Sequence, residues 1–73
     1  MTEIDAIGLL CPLPVLKLRK RLASLPDGAE VRLICDDPAA TVDVPHFCAE
    51  AGHALLEVED LEARSVYRVR KGG

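Results

Sequence analysis

Cys11 stands directly before Pro12, with Pro14 two places further on, in the run Gly8-Leu9-Leu10-Cys11-Pro12-Leu13-Pro14-Val15. Proline suits the first turn of a helix, where its missing N–H would have had no partner anyway. Cys11 is therefore the expected N-cap of a helix that begins at Pro12. Unpaired N–H groups and the positive end of the helix dipole stabilise negative charge at such a position. A thiol placed there is expected to ionise below its ordinary range, and the thiolate is the nucleophile. The two prolines form a rigid mount for a sulfur atom at a helix tip. The bland alternative is an inert, small apolar residue, which is how most free cysteines behave.

The other chemistry-bearing residues read as structural. Cys35 ends the apolar run Val31-Arg32-Leu33-Ile34-Cys35, and Cys48 falls on an apolar helix face, so both are expected in the core. The cysteines have neither paired spacing nor a C-x-x-C pattern, which argues against a disulfide scaffold or a zinc knuckle. No resolving cysteine lies near Cys11 in sequence, which argues against a thiol peroxidase or disulfide reductase. His46 and His53 lack a helical metal-pair spacing and read as surface or structural residues. Asp36 and Asp37 could serve as catalytic or docking acids, but the favoured reading is a strand end and a helix cap.

The elements that position these residues follow from periodicity and breakers. Glu3 to Ile7 alternates as a half-buried strand, and Gly8 breaks it. The first helix runs from Pro12 to about Leu25, and Pro26-Asp27-Gly28 is a turn. Glu30 to Cys35 is a buried strand. A second helix opens with Asp37 as N-cap and Pro38 as its first residue. Val44, Phe47, Cys48 and Ala51 mark its buried face, Pro45 is expected to kink it or disturb its first turn, and Gly52 caps it. Ala54 to Val58 and Arg64 to Arg70 are two further strands.

The fold class is therefore α/β (α+β), a two-layer sandwich of β-α-β-α-β-β order. A mixed four-stranded sheet is expected, with both helices on one face. The first two strands should run parallel, and ligand chemistry gathers at the carboxyl ends of such strands. Those ends are Gly8 to Cys11 and Asp36 to Pro38.

Composition sets the outer bounds. Seventy-three residues suffice for one small domain, residues 1–73, and for no large enclosed cofactor pocket. Phe47 and Tyr67 are the whole aromatic complement, too few for a platform that stacks single-stranded nucleic acid. The net charge of −3 likewise argues against direct nucleic-acid contact. No stretch reaches the length of a membrane span, and Met1 to Asp5 is acidic without an apolar signal core. A reducing cytoplasm is the expected location, and the cysteines stay as thiols there.

The run from Gly8 to Val15, followed by basic residues on the helix, is similar to the Cys-Pro-x-Pro signature of the TusA/SirA sulfur-carrier family. Asp36-Asp37-Pro38-Ala39-Ala40, then Asp43-Val44-Pro45 and Phe47-Cys48, resembles that family's second motif, and Arg70-Lys71-Gly72-Gly73 looks like the TusA branch. The resemblance extends from Ile4 to Gly73. It implies the sandwich fold already read from the pattern. It also implies that Cys11 carries sulfane sulfur as a persulfide, with Pro12, Pro14 and Asp37 supporting the site. A cysteine desulfurase or another donor protein would load it, and a downstream acceptor protein would unload it. In TusA-type members that relay feeds 2-thiolation of tRNA wobble uridine or other pathways such as molybdenum cofactor synthesis; other relatives serve dissimilatory sulfur metabolism.

Persulfide exchange needs only an accessible, nucleophilic sulfur at each end, so no cofactor and no metal is expected. The chain departs from the TusA pattern at Leu10, where that branch has Arg, and at Leu13, where it has Glu. Loss of a neighbouring cation removes one way of lowering the thiol's pKa.

A docking surface can also be read. Lys17, Arg19, Lys20 and Arg21 fall between Asp5 and Asp27 with no acid among them; that segment carries +4 against −7 for the rest. At helical spacing Val15, Leu18, Leu22 and Leu25 face the core, while Leu13, Leu16, Lys17 and Lys20 point away. Leu13, Leu16, Lys17, Arg19 and Lys20 are the expected footprint for the partners, met by a monomer. The bland reading is a solvated helix face.

Two other functions fit parts of the sequence. Ubiquitin-like carriers hold sulfur as a thiocarboxylate on a C-terminal diglycine, and this chain ends in Gly72-Gly73. Such carriers begin with a hairpin, whereas this chain begins strand-helix-strand. A regulatory or interaction module, with Cys11 only as a cap, is the remaining class.

Overall fold

The computed structural model describes residues 2–72. Its elements are β1 (Thr2–Ala6), α1 (Leu13–Ala23), β2 (Glu30–Cys35), α2 (Ala40–Ala51), β3 (Ala54–Asp60) and β4 (Ser65–Arg70). The sheet order is β1-β2-β4-β3. β1 runs parallel to β2, while β4 is antiparallel to both β2 and β3, so the sheet is mixed. α1 packs on β1 and β2, α2 packs on β3, and the helices pack on each other, so both lie on one face.

Strand alternation sorts the side chains. Ile4 and Ala6, then Val31, Leu33 and Cys35, then Tyr67 and Val69 are buried under the helices. Leu18 and Leu22 of α1 and Ala40, Val44 and Cys48 of α2 close that core, with Val15, Leu25, Phe47 and Leu55 packed against it. Each fully buried leucine contributes about 1.5–3 kcal/mol of transfer free energy. The opposite sheet face carries ion pairs, Arg32 with Glu3 at 2.9 Å and Arg68 with Glu30 at 3.1 Å.

Several boundaries differ from the sequence reading. β1 ends at Ala6 because the Ile7 N–H turns back to Asp5 Oδ1 at 3.0 Å. α1 ends at Ala23, with the Ser24 N–H bonded to Arg21 O at 3.1 Å. α2 does not start at Asp37: a turn from Asp37 to Ala40 intervenes, and the helix is capped by Ala39 without a side-chain bond. Its buried face is shifted by a turn, taking in Ala40 and leaving Ala51 exposed. Pro45 lies inside the helix and does not divide it. Gly52 adopts φ 78°, the left-handed cap conformation, and the His53 N–H reaches Cys48 O at 2.9 Å. β3 runs on to Asp60, with a register shift between Leu55 and Glu57, and β4 begins at Ser65.

Candidate functional site

The parallel strands bring two loops together. Ala6 and Cys35 are register partners at the carboxyl ends of β1 and β2, so the residues after them emerge side by side. Gly8 makes the first loop's turn at φ 83°, a conformation that costs other residues a steric penalty. Its N–H donates to Asp36 Oδ1 at 3.0 Å. The Cys11 N–H donates to Asp37 Oδ2 at 2.6 Å, while Asp37 Oδ1 accepts from the Ala39 N–H at 3.1 Å. One carboxylate therefore joins the cysteine loop to the entrance of α2. The Leu13 N–H closes a turn on Leu10 O at 2.8 Å, with Cys11 and Pro12 at its centre. The Cys11–Pro12 peptide is cis.

Cys11 is therefore not the N-cap. Pro12 holds that place, with no side-chain cap bond, and the cysteine sits one residue outside the helix. The physical reason lies in the donors. Pro12 and Pro14 have no N–H, and the Leu13 N–H is already taken by Leu10, so little of the helix end can reach the sulfur.

The electrostatics also reverse the expectation. The Cys11 thiol is held above its ordinary range, first because the Asp43 carboxylate accepts its hydrogen, then through desolvation and the negative charges of Asp43 and Asp37. Carboxylates outweigh the helix dipole here. The side chain is nonetheless exposed, whereas Cys35 and Cys48 are buried. Burial pushes both of those thiols up; at Cys35 the charges of Asp37 and Asp36 add to it and the Asp37 backbone N–H opposes it.

The surroundings of Cys11 are apolar on the outside. Leu10 is 67% exposed and Leu13 and Leu16 are 48% each. Turning about 100° per residue, Lys17 and Lys20 lie within about 40° of Leu13 on α1, whereas Arg19 lies about 120° away. The helix thus groups Leu13, Leu16, Lys17 and Lys20 and sets Arg19 apart. Pro14 is buried and anchors the first turn. On the other flank a groove of about 340 Å³ is lined by Asp36, Asp37, Asp60, Glu62 and Arg64 among others. Among the described residues, no group of His, Cys, Asp and Glu is arranged to hold a metal ion.

Residues 2–71 match the family described as Sulfurtransferase TusA. The chain belongs to the TusA family. It is 39% identical over 69 residues to the Sulfur carrier protein TusA of Pseudomonas syringae pv. syringae (strain B728a), covering 94% of this chain and 82% of that one. Its fold is similar to that of the SirA-like protein from Desulfitobacterium hafniense, with a TM-score of 0.85, 26% identity and full coverage of both chains. A role in carrying and transferring sulfur, with proteins that give and receive it, follows from that membership.

Within this TusA-family chain, two residues around the thiol escaped the sequence reading. Leu10 was visible only as a departure from the family pattern. Asp43 stood in the second motif with no assigned role; only the fold brings it against Cys11. The carboxyl-terminal segment lies at the other end of the sheet, since Arg70 pairs with Glu30 while Ser65 pairs with Cys35. The Gly72 N–H donates to His53 Nδ1 at 3.0 Å, so His53 holds backbone rather than a ligand. Gly73 lies outside the described residues. No helix among them is long and apolar enough to cross a membrane.

Proposed function

We propose that residues 1–73 form one sulfur-carrier domain that holds sulfane sulfur as a persulfide on Cys11. The observation that carries this reading is an exposed thiol on a two-proline mount, with its backbone fixed by Asp37 and its rim built of exposed leucines. The donor is a cysteine desulfurase or a similar persulfide-bearing protein, and the receiver is a second protein in a thiolation pathway such as that of tRNA 2-thiouridine. The carrier acts as a cytoplasmic monomer, without cofactor and without touching nucleic acid itself.

The transfer balances as a thiol–persulfide exchange. The Cys11 thiolate attacks the outer sulfur of the donor persulfide. A new S–S bond forms at Cys11, the donor's S–S bond breaks, and the electron pair leaves on the donor's cysteine sulfur. The proton lost by Cys11 ends on that leaving thiolate. The acceptor's thiolate then attacks the sulfane sulfur in the same way and releases Cys11. Asp37, Pro12 and Pro14 fix where the sulfur stands. Leu13, Leu16, Lys17 and Lys20 meet the partners, and Arg19 adds long-range attraction.

Neither other reading gains support from the geometry. A thiocarboxylate carrier needs a free diglycine tail, and Gly72 is tied to His53. A module in which Cys11 is a helix cap loses its premise, because Pro12 is the cap residue. The test is transfer of radiolabelled sulfur from cysteine through a desulfurase to the wild type and to Cys11→Ser, resolved on a non-reducing gel. Label on the wild type alone is expected. Equal labelling of Cys11→Ser, or sulfur found by mass spectrometry at Gly73, overturns the proposal.

A further inference from the structure

β1 is an edge strand, paired with β2 on one side only. In a parallel strand each residue sends its N–H and C=O to the same side, and successive residues alternate. Lys17 Nζ donates to the carbonyl oxygen of Asp5, which marks the Asp5 side as the open one. By alternation the N–H and C=O of Glu3 face the same way. These groups line a groove of about 520 Å³ between β1 and α1, whose helical wall carries Lys17, Lys20 and Arg21. No acid occurs along α1, so the wall is wholly cationic. The groove does not include Cys11.

We propose that this groove docks an extended acidic segment of a partner protein, which adds to β1 as a fifth strand. Open edges recruit strands because their main-chain groups lack partners, and side chains beside the edge select the sequence. Here the selection is electrostatic. Acidic side chains on the helix side of the added strand meet three cations, while those on the outer side lie beside Glu3 and Asp5 and must be neutral. Lys17 serves as a stand-in for the missing strand. An incoming N–H takes over the Asp5 carbonyl and frees the ammonium for a carboxylate. The groove shares Lys17 and Lys20 with the surface proposed to meet the sulfur partners but leaves out Cys11, so it can be tested with a probe that holds no sulfur.

The experiment is an amide NMR titration of the full chain with the peptide acetyl-Thr-Glu-Thr-Glu-Thr-Glu-Thr-amide. The Glu3 and Asp5 amide signals are expected to shift, and their hydrogen exchange to slow. Full N-methylation of the peptide removes its donors and is expected to weaken binding at least about tenfold, as is the double variant Lys20→Glu, Arg21→Glu. The lysine counterpart of the peptide should not bind. Absence of shifts up to about 2 mM peptide overturns the proposal, and so does equal binding of the N-methylated peptide. It is also overturned if the Glu3 and Asp5 signals move with protein concentration alone, because a second copy then occupies the edge.

Discussion

The Asp37 carboxylate accepts the backbone N–H of Cys11 at 2.6 Å, across twenty-six positions of chain. Its other oxygen holds the Ala39 N–H at 3.1 Å, so one side chain sets both the height of the thiol loop and the entrance to α2. Hydrogen bonds to an ionised acceptor are stronger than neutral ones. Asp37→Ala is expected to lower stability by about 1–3 kcal/mol in urea unfolding and to slow sulfur loading. Asp37→Asn, which keeps one acceptor oxygen, should fall between it and the wild type. If Asp37→Ala loads at the wild-type rate, the carboxylate does not position Cys11.

Asp43 acts on the proton rather than the backbone. It accepts the thiol hydrogen and disfavours the thiolate, which raises the Cys11 pKa. The sign follows directly: alkylation proceeds through the thiolate, so its rate against pH should turn over above the ordinary thiol value of about 8.5. Asp43→Ala should move that midpoint down and speed alkylation at neutral pH. A profile unchanged in this variant would show that the carboxylate does not govern ionisation.

The same pair of residues shows how far the sequence could be read. Strand alternation in Glu30 to Cys35 and the i, i+4 spacing of Leu18 and Leu22 are local signals, and the sandwich follows from them. The position of Cys11 beside two prolines was equally visible. Its electrostatics were not, because they come from Asp37 and Asp43, which reach the sulfur only after β1 and β2 pair. The helix start was misplaced for a related reason. A proline suits the first helical position by its own geometry, yet Pro12 is the cap residue, and no periodicity reveals that Leu13 spends its N–H on Leu10. Lys17 and Arg19, two residues apart, look alike in sequence and differ by rotation about α1.

The buried thiols give a second pH dependence. Burial raises Cys35, Cys48 and the Tyr67 hydroxyl above their ordinary values. An acid whose native pKa is raised keeps its proton in the folded state after the unfolded chain has lost it, so folding weakens as pH rises. Urea midpoints should therefore hold up to about pH 8 and then fall through the alkaline range. In a thiol-reagent assay of the native protein, Cys11 should react fast, and Cys35 and Cys48 only on unfolding. Fast modification of all three thiols would contradict the buried placement.

Gly72 has a structural use. A Cβ added at Gly72 would run into the carbonyl oxygen of Gly52, and the Gly72 N–H is bonded to His53. Gly72→Ala should therefore release this segment from His53 and Gly52, with a loss of about 1–3 kcal/mol and a new protease-sensitive site after Arg70. Sulfur loading at Cys11, at the other end of the sheet, should persist in the folded fraction. Loss of loading in folded Gly72→Ala would tie the tail to the chemistry.

Docking can be separated from chemistry at Leu13 and Leu16. Both are half exposed, so they add little to the core and much to the apolar rim of the thiol. Charged groups placed there must be desolvated when a partner closes over the sulfur, a cost that hydrogen bonds in the complex do not return. The double variant Leu13→Glu, Leu16→Glu should change stability by no more than about 0.5 kcal/mol. Its persulfide transfer from a desulfurase should fall by about a hundredfold, while alkylation of Cys11 by a small reagent persists. Arg19→Glu, rotated away from that rim, should slow association only modestly and lose its effect at high salt. Equal losses in the two variants would mean that the partner covers the whole outer surface of α1 rather than the sector beside Cys11.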